Sequence, residues 1–309
     1  MKTALLHNDQ VVHADVYDPQ QHGTRLYCID KTCRAPLIFV PKSKKASAHF
    51  KTTGHHDSQH SSTCGFFQPL ECKEAIKKVK EYQGFLLEGE TVHETVIRLD
   101  MKRIDPDYEP KKVERSEGSH EKKEKIKVKK ERENPESVGS VSSVVKLLTS
   151  YEPDLLATIL FNVGGGRKVP LSSIVINQED AHQILMANEV LRNVGYFVYG
   201  NVKSLIRREK VWYINYEPVN NITFTLVIFD RYFKYFTYTD EELIGKDVLA
   251  YGFLRKNEYQ GELRTEMLIK SDKYLEIIEG EKKHNKKLRP LFLRGVRRSR
   301  HKVHPNPRN

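Results

Sequence analysis

YFVYGNVKSLIRR, residues 196–208, opens the longest part of the chain in which apolar alternation, strand-forming composition and turn residues agree. Its aromatic and β-branched residues predict a long first strand, and Gly200 inside the run predicts a bulge that curves it. Two further strands are predicted over residues 211–216 and 222–229, with a turn over residues 218–221 between them. We therefore expect an antiparallel meander in this part of the chain.

Residues 231–245 interrupt the alternation. Thr239 and Glu242 have the spacing of a capping box, and a glycine follows as a stop signal, so a short helix is expected. Residues 246–255 and 262–278 then give two more strands. The order of strand, strand, strand, helix, strand, strand predicts the five-stranded Greek-key β-barrel of an OB-fold.

The run LIGKDVLAYGFL, residues 243–254, also resembles the helix end and fourth strand of nucleic-acid-binding OB domains. The resemblance is one of layout, and it implies an OB-fold barrel over residues 196–280. Such barrels bind single-stranded nucleic acid by stacking bases on aromatic side chains while cations follow the phosphate backbone. A single-stranded DNA or RNA ligand is therefore expected.

The candidate binding surface lies on the second strand and at the loop rims of this barrel. The alternation over residues 211–216 places Tyr213 and Asn215 opposite a more apolar set, so these two side chains are predicted to face outward. Tyr213 would stack a base, although an aromatic residue at this position could also serve only to cover the barrel. The candidate nucleic-acid-binding residues are Arg207, Arg208, Tyr213, Arg255, Lys256 and Tyr259.

Two short-spaced pairs of potential metal ligands precede this region. Cys28 and Cys33 have four residues between them, and His60 and Cys64 have three. Two such pairs far apart in sequence are typical of a closed tetrahedral zinc site, because each pair can lie on its own turn. Three further histidines compete for the histidine position: His49, His55 and His56.

Residues 25–66 resemble the N-terminal zinc-finger region of the CoiA-like competence-protein family. The residues that carry the resemblance are Tyr27-Cys28, Cys33, the strand at Leu37, the His49-Phe50 step and the pair formed by His60 and Cys64. It implies zinc held by Cys28, Cys33, His60 and Cys64, and it leaves His49 as either a packing residue or a ligand. The fourth cysteine, Cys72, is predicted to be a small buried residue of a helix.

CoiA-like proteins often continue into a restriction-type nuclease domain, in which an acidic residue and an acidic-x-Lys step on paired strands hold a metal. Glu71-Cys72-Lys73 has that spacing in this chain. It lies, however, in LECKEAIKKVKEYQ, residues 70–83, whose apolar residues have the period of an amphipathic helix. A helix is the wrong place for the motif, and a protein without catalytic residues is predicted.

Composition separates the rest of the chain. Residues 105–139 contain three prolines, ten Lys and Arg between 111 and 132, and almost no apolar residues, which predicts a disordered charged linker. Residues 282–309 contain eleven Lys and Arg and no acidic residue, so this tail alone accounts for the net charge of +11. Such a tail suits a polyanion such as nucleic acid.

Between the linker and the barrel, a small α/β extension is expected. Residues 141–148 and 178–193 have helical patterns, the second capped by Asn177. The triple glycine at residues 164–166 lacks the features of a phosphate-binding loop and is predicted to be a hairpin turn, followed by a strand over residues 169–176.

The first residues, MKTALLHNDQ, have too short an apolar run for an export signal, and no segment has the roughly 20 apolar residues that span a bilayer. A cytoplasmic protein is therefore expected, whose cysteines bind metal rather than form disulfides.

These observations together predict a multidomain protein. The predicted parts are a zinc-ribbon-like α+β domain (1–104), a disordered charged linker (105–139), a small α/β extension (140–195), an OB-fold barrel (196–280) and a basic tail (281–309). The predicted function is non-catalytic binding of single-stranded nucleic acid, with zinc as cofactor. Two alternatives stay open: a metal-dependent nuclease of the CoiA-like type, and an adaptor that binds other proteins.

Overall fold

The computed structural model describes residues 1–44, 46–68, 70–87, 94–109, 137–259 and 261–278. Most of the predicted charged linker and the whole of the predicted basic tail lie outside these described residues. The chain is a mixed α/β structure with several sheets. No helix among the described residues is long and apolar enough to cross a membrane.

The N-terminal module, residues 1–68, contains a five-stranded antiparallel sheet. Its elements are β1 (Thr3–Leu6), β2 (Val11–His13), the one-turn helix α1 (Pro19–His22), β3 (Leu26–Tyr27), β4 (Pro36–Val40) and β5 (His49–Lys51), and the strand order is β2-β1-β3-β4-β5. The strands bury small and medium apolar side chains and one aromatic residue, Phe50. This core is separate from the main core of the molecule.

A second sheet joins segments from before and after residues 110–136, and its strand at residues 137–138 lies inside the predicted linker (105–139), so the end of that linker is ordered and not disordered. The elements here are α2 (Cys72–Leu87), β6 (Thr95–Leu99), β7 (Ser137–Val138), α3 (Val141–Ser150), α4 (Pro153–Ala157), β8 (Ile159–Asn162) and β9 (Lys168–Pro170). The strand order is β7-β6-β8-β9, and β6 is parallel to both of its neighbours. Helix α2 packs against α4 and α3, so α2 and β6 share the main core with the segment after residue 137.

The triple glycine turn joins β8 to β9 as an antiparallel hairpin, which confirms the prediction. All three glycines have positive φ, between 61° and 98°, a region that other residues rarely adopt. The predicted strand over residues 169–176 is wrong in its middle. A one-turn helix, α5 (Leu171–Ile174), separates β9 from β10 (Val175–Asn177). Its buried residues Leu171 and Ile174 are three positions apart, which is the spacing of a helical turn and not of a strand.

Helix α6 (Gln178–Met186) begins at the predicted cap, where the Asn177 side chain accepts a hydrogen bond from the amide of Asp180 at 2.7 Å. It is shorter than the predicted helix over residues 178–193. Asn188 has a φ of 58°, and this left-handed conformation is incompatible with a continuing helix. The remaining residues up to Tyr196 therefore form an irregular connection.

The largest sheet contains β11 (Tyr196–Arg207), β12 (Val211–Tyr216), β13 (Phe224–Phe229), β14 (Asp247–Gly252), β15 (Leu254–Tyr259), β16 (Glu262–Leu268) and β17 (Leu275–Ile277). Its order is β15-β16-β13-β12-β11-β14-β17, and β10 pairs with β11 in parallel. The meander of β11, β12 and β13 confirms the prediction. The two predicted final strands are each divided, at Phe253 and at a 3-10 helix, Asp272–Tyr274.

Strand β11 changes partners along its length, and this curves the sheet into a half-barrel. Its first part pairs with β14 and its second part with β12, and the register shifts between Val202 and Ser204. The bulge was predicted at Gly200, and this prediction is wrong, because the register shift lies two to four residues later. Gly200 instead makes room for the buried ring of Tyr216, since a Cβ atom there would lie 2.1 Å from that ring.

The predicted capping box is present at α7 (Asp240–Leu243), between Thr239 and Glu242. A 3-10 helix, Asp230–Tyr235, precedes it and packs on the sheet through Phe233, whose ring stacks on Trp212 with centroids 4.0 Å apart. The segment that follows β6 contacts the residues after β16: the amine of Lys270 forms ion pairs with the carboxylates of Asp105 and Asp107 at 2.8 and 2.9 Å.

Candidate metal centre and binding surface

The first ligand pair lies on the turn after β3. The amide of Cys28 donates to the carbonyl oxygen of Ala35 at 2.9 Å, which extends the pairing of β3 and β4 by one step. The amide of Cys33 donates to the carbonyl oxygen of Asp30 at 3.0 Å and closes the turn. These two bonds bring the Cys28 and Cys33 side chains to the same end of the small sheet.

The second ligand pair lies on a turn that packs against the first. The amide of Cys64 donates to the carbonyl oxygen of Ser61 at 3.0 Å, and the amide of Ser61 lies 3.4 Å from the sulfur of Cys33. Cys28 and Cys64 are fully buried, whereas Cys33 and His60 are partly exposed. The group therefore has a buried half and an open half.

Four ligand atoms converge at this point. The sulfur atoms of Cys28 and Cys64 are 3.7 Å apart, and the Nδ1 atom of His60 lies 3.5 Å from the sulfur of Cys33 and 3.6 Å from that of Cys64. A tetrahedral zinc ion with ordinary bond lengths holds its sulfur ligands about 3.8 Å apart and places nitrogen about 3.6 Å from sulfur. All four ligand atoms lie within 4.8 Å of one another. The group could hold a metal ion.

The sulfur atoms of Cys28 and Cys64 also share a hydrogen bond. This bond, together with burial, raises the pKa of the Cys28 thiol. The same bond lowers the pKa of Cys64 to about 5, and His60 adds to the effect against the opposing influence of burial. The shared hydrogen bond and His60 therefore favour the thiolate form of Cys64, and thiolate is the form that binds metal.

The competing histidines lie outside this group. His49 is the first residue of β5, and its Nδ1 atom is 2.9 Å from the carbonyl oxygen of Ser47. His55 and His56 are exposed on a turn. The fold thus brings His60, and not His49, to the three cysteines.

The residues weighed for a nuclease motif lie at the start of α2. Cys72 is the first residue of the helix and is buried, as predicted, and burial raises the pKa of its thiol to about 12. The amine of Lys73 pairs with the carboxylate of Asp247 at 2.6 Å. Glu71 precedes the helix and is exposed.

Two of the predicted nucleic-acid-binding residues lie at the end of β11. The guanidinium of Arg207 lies 4.5 Å from the ring centroid of Trp212 and donates to Asp240 at 2.9 Å, so it is engaged within the molecule. Arg208 is exposed and lies 5.8 Å from the ring centroid of Tyr213, which is partly exposed on the predicted outer face.

The other predicted residues lie on β15, away from this pair. Arg255 and Lys256 are exposed, and the amine of Lys256 donates to the side chain of Asn188 at 2.8 Å. Tyr259 ends β15, and its side chain lies outside the described part of the structure. Tyr196, the first residue of β11, pairs with Gly252, and β15 follows Gly252 in the chain, so β15 lies beyond the start of β11. Arg207 and Arg208 lie at the other end of β11. The structure does not bring the six residues together.

A set of cations that the sequence interpretation missed lies beside Arg208. Val211 pairs with Phe229, and the amide of Asp230 donates to the carbonyl oxygen of Lys210 at 3.1 Å, so the β11–β12 turn adjoins the 3-10 helix that follows β13. We call this surface the basic edge, and its residues are Arg208, Lys210, Tyr213, Arg231 and Lys234. None of its four cations forms a salt bridge with a described carboxylate.

Exposed aromatic side chains accompany these cations. Phe229 is 38% exposed and Tyr235 is 39% exposed, and Lys234 lies 4.9 Å from the ring centroid of Tyr235. The sequence feature that could have indicated this surface is the mixture of cations and aromatic residues in RYFKY, residues 231–235. It could be placed beside Arg208 only once the pairing of β12 with β13 was known.

Comparisons with known proteins add little to this description. No protein-family model matches the chain, and no curated protein matches it. Among solved structures, asparaginyl-tRNA synthetase of Entamoeba histolytica in complex with asparaginyl-adenylate is similar, with 14% sequence identity and a TM-score of 0.20, over 34% of this chain and 24% of that chain. A TM-score this low carries no argument about fold. The resemblance to the CoiA-like family stays a prediction.

Proposed function

We propose that this protein binds single-stranded nucleic acid without catalysing a reaction, through the basic edge of an OB-type barrel, and that its N-terminal module is stabilised by zinc. The observation that carries the proposal is the basic edge, where Arg208 lies over the partly exposed ring of Tyr213 and three further cations without salt bridges lie on the adjoining turn and 3-10 helix. Cations neutralise phosphates, and an exposed aromatic ring stacks a base.

The strand pairing supports the barrel. Residues 247–259 run as β14 and β15 with only Phe253 between them, and they pair with β11 through the first half and with β16 through the second. Strand β16 in turn lies parallel to β13. A ring of five strands results when β14 and β15 are counted as one, and its order is that of the Greek-key OB barrel.

The donor set supports zinc. Three sulfurs and one imidazole are soft and borderline ligands, which suit zinc better than magnesium or calcium. The protein supplies all four positions, so a bound ion would have no open site for a substrate and would be structural. A reducing compartment such as the cytoplasm would keep these cysteines available as ligands.

A single strand suits this surface better than a duplex. The rings of Tyr213, Phe229 and Tyr235 are open to solvent in whole or in part, and bases must be unpaired to stack on them. The predicted basic tail, residues 281–309, would add contacts to phosphates without reading bases.

Titration of labelled single-stranded and duplex oligonucleotides at several salt concentrations tests the proposal. We expect tighter binding of the single strand. In an Arg208→Gln, Arg231→Gln double variant, the negative slope of log affinity against log salt should become shallower by about 1.4, since each phosphate contact on a single strand contributes about −0.7. An Arg98→Gln, Arg103→Gln variant removes the same charge elsewhere and is the control. Equal losses in both variants, or no binding by the unaltered protein, would reject the proposal.

A further inference from the structure

A buried carboxylate links the candidate metal centre to helix α2. Asp30 lies on the turn between Cys28 and Cys33 and is fully buried. It accepts hydrogen bonds from the amide and hydroxyl of Thr32 at 3.0 and 2.6 Å, within its own turn. Its other oxygen contacts α2, where the hydroxyl of Tyr82 donates to it at 3.1 Å and the amine of Lys78 pairs with it at 2.9 Å.

Helix α2 also contacts the second ligand pair. Phe66, two residues after Cys64, stacks on Tyr82 with ring centroids 6.3 Å apart and planes 6° apart. The ring of His60 lies 5.7 Å from the ring of Phe66. One face of α2 therefore contacts the surroundings of both turns that carry metal ligands.

The same helix belongs to the main core. Ile76, Val79 and Tyr82 are buried in the large apolar cluster, and Ile29, between Cys28 and Asp30, joins that cluster rather than the small core of the N-terminal module. The turn that begins at Cys28 therefore contacts both parts of the molecule. The sulfur of Cys28 belongs to the ligand group, whereas the side chain of Ile29 packs in the main core and that of Asp30 contacts α2.

A buried carboxylate is tolerated only when its hydrogen bonds and its charge are compensated. Two of the four polar contacts described above for the Asp30 carboxylate, those with Lys78 and Tyr82, come from α2. If the helix shifted, Asp30 would have to move towards water, and the turn between Cys28 and Cys33 would move with it. The position of the cysteine sulfurs therefore depends on the docking of α2.

We propose that Asp30, Lys78 and Tyr82 are positioning residues of the metal centre, and that they couple metal binding in the N-terminal module to the docking of α2 on the main core. This inference rests on the proposed zinc site. Coupling between two binding events is reciprocal. Zinc affinity therefore depends on residues of α2, and the order of α2 depends on zinc.

Zinc affinity measured by competition with a chelator tests the first half. Removal of an outer-shell partner typically lowers metal affinity 10- to 100-fold. We expect a loss of this size in Asp30→Asn and in Lys78→Met, and a smaller loss in Tyr82→Phe, which keeps the ring. In the Asp30→Asn, Lys78→Met double variant the loss should be smaller than the product of the single losses, because both act through one contact.

Lys77→Met is the matched control, since Lys77 lies next to Lys78 on α2 and is exposed. The absorption spectrum of the cobalt-substituted protein provides a readout of ligand geometry that a loss of stability alone would not change. It should shift in Asp30→Asn and stay unchanged in Lys77→Met. Zinc affinities and spectra within experimental error of the unaltered protein in Lys78→Met and Tyr82→Phe would overturn the proposal.

Hydrogen exchange of the unaltered protein tests the second half without any substitution. Chelation of zinc should raise the exchange rate of amides in residues 72–87, with a smaller change in β12 and β13. Unchanged exchange in α2 would overturn the coupling even if the module itself opened. A protein that binds no zinc at all would instead refute the proposed zinc site, so the two failures are distinguishable.

Discussion

The strands of the N-terminal module are two to five residues long, whereas β11 of the half-barrel has twelve residues. The module has two small apolar clusters, one of them made of Cys28, Ala35 and Cys64, while the half-barrel belongs to a single large cluster that also includes residues of α2, α3 and α4. A small core leaves little margin against chain entropy. We therefore expect the module to depend on a few polar contacts and on the proposed zinc ion, and the half-barrel on many apolar contacts.

The largest expected effect is on the module. His60→Ala should abolish stoichiometric zinc binding and open residues 25–66, because zinc in a small module contributes folding free energy directly. His49→Ala is the matched control, since His49 lies outside the ligand group, and it should retain one zinc per chain by elemental analysis. The half-barrel should stay folded in both variants. Simultaneous melting of both regions in His60→Ala would show that the half-barrel is not stable independently of the N-terminal module.

A substitution in the core of the half-barrel should affect the half-barrel and leave the N-terminal module intact. Leu226 is fully buried, and Leu226→Ala should lower the free energy of unfolding by about 2–5 kcal/mol through lost burial and a cavity. Zinc content should be unchanged. Leu263→Ala removes the same atoms from a side chain that is 54% exposed and should cost little. Denaturant titration of the two variants measures the difference, and equal costs would contradict the assignment of the core.

The smallest effect concerns binding and leaves both regions folded. Tyr213→Ala should weaken single-strand binding by roughly 1–3 kcal/mol if the ring stacks on a base. Tyr108→Ala is the control, because Tyr108 is another exposed tyrosine, 43% exposed, outside the basic edge. Fluorescence anisotropy with one oligonucleotide compares the two. An unchanged affinity in Tyr213→Ala would show that the ring only covers the half-barrel and would favour the adaptor alternative.

The features that the sequence predicted are those set by local chemistry. The triple glycine turn, the capping box at Thr239 and the cap at Asn177 each depend on residues within four positions of one another. The strands of the meander were also predictable, because their alternation is maintained over whole strands. The break at Phe253 was not, since it arises where one run of chain changes its partner from β11 to β16.

The candidate sites divide in the same way. The spacing of cysteines indicated the ligand group, but three further histidines competed with His60 for the histidine position, and the packing of two turns selects His60. For the basic edge, Lys210 and Arg231 are far apart in sequence and become neighbours through the pairing of β12 with β13. Asp30 has no signal in the sequence, because its importance comes from contacts with a helix more than forty residues away.

The parallel pairing of β13 with β16 has a consequence for how the half-barrel folds. Phe224 pairs with Thr265, and the stretch of chain between these two strands in sequence contains α7, β14 and β15. The hairpins of β11, β12 and β13 close short loops and lose little chain entropy, whereas this parallel pair closes a long one. The hairpins should therefore form first and the parallel pair last. The basic edge, built only from the early hairpins and the helical turn that follows them, is then complete before the ring of strands closes.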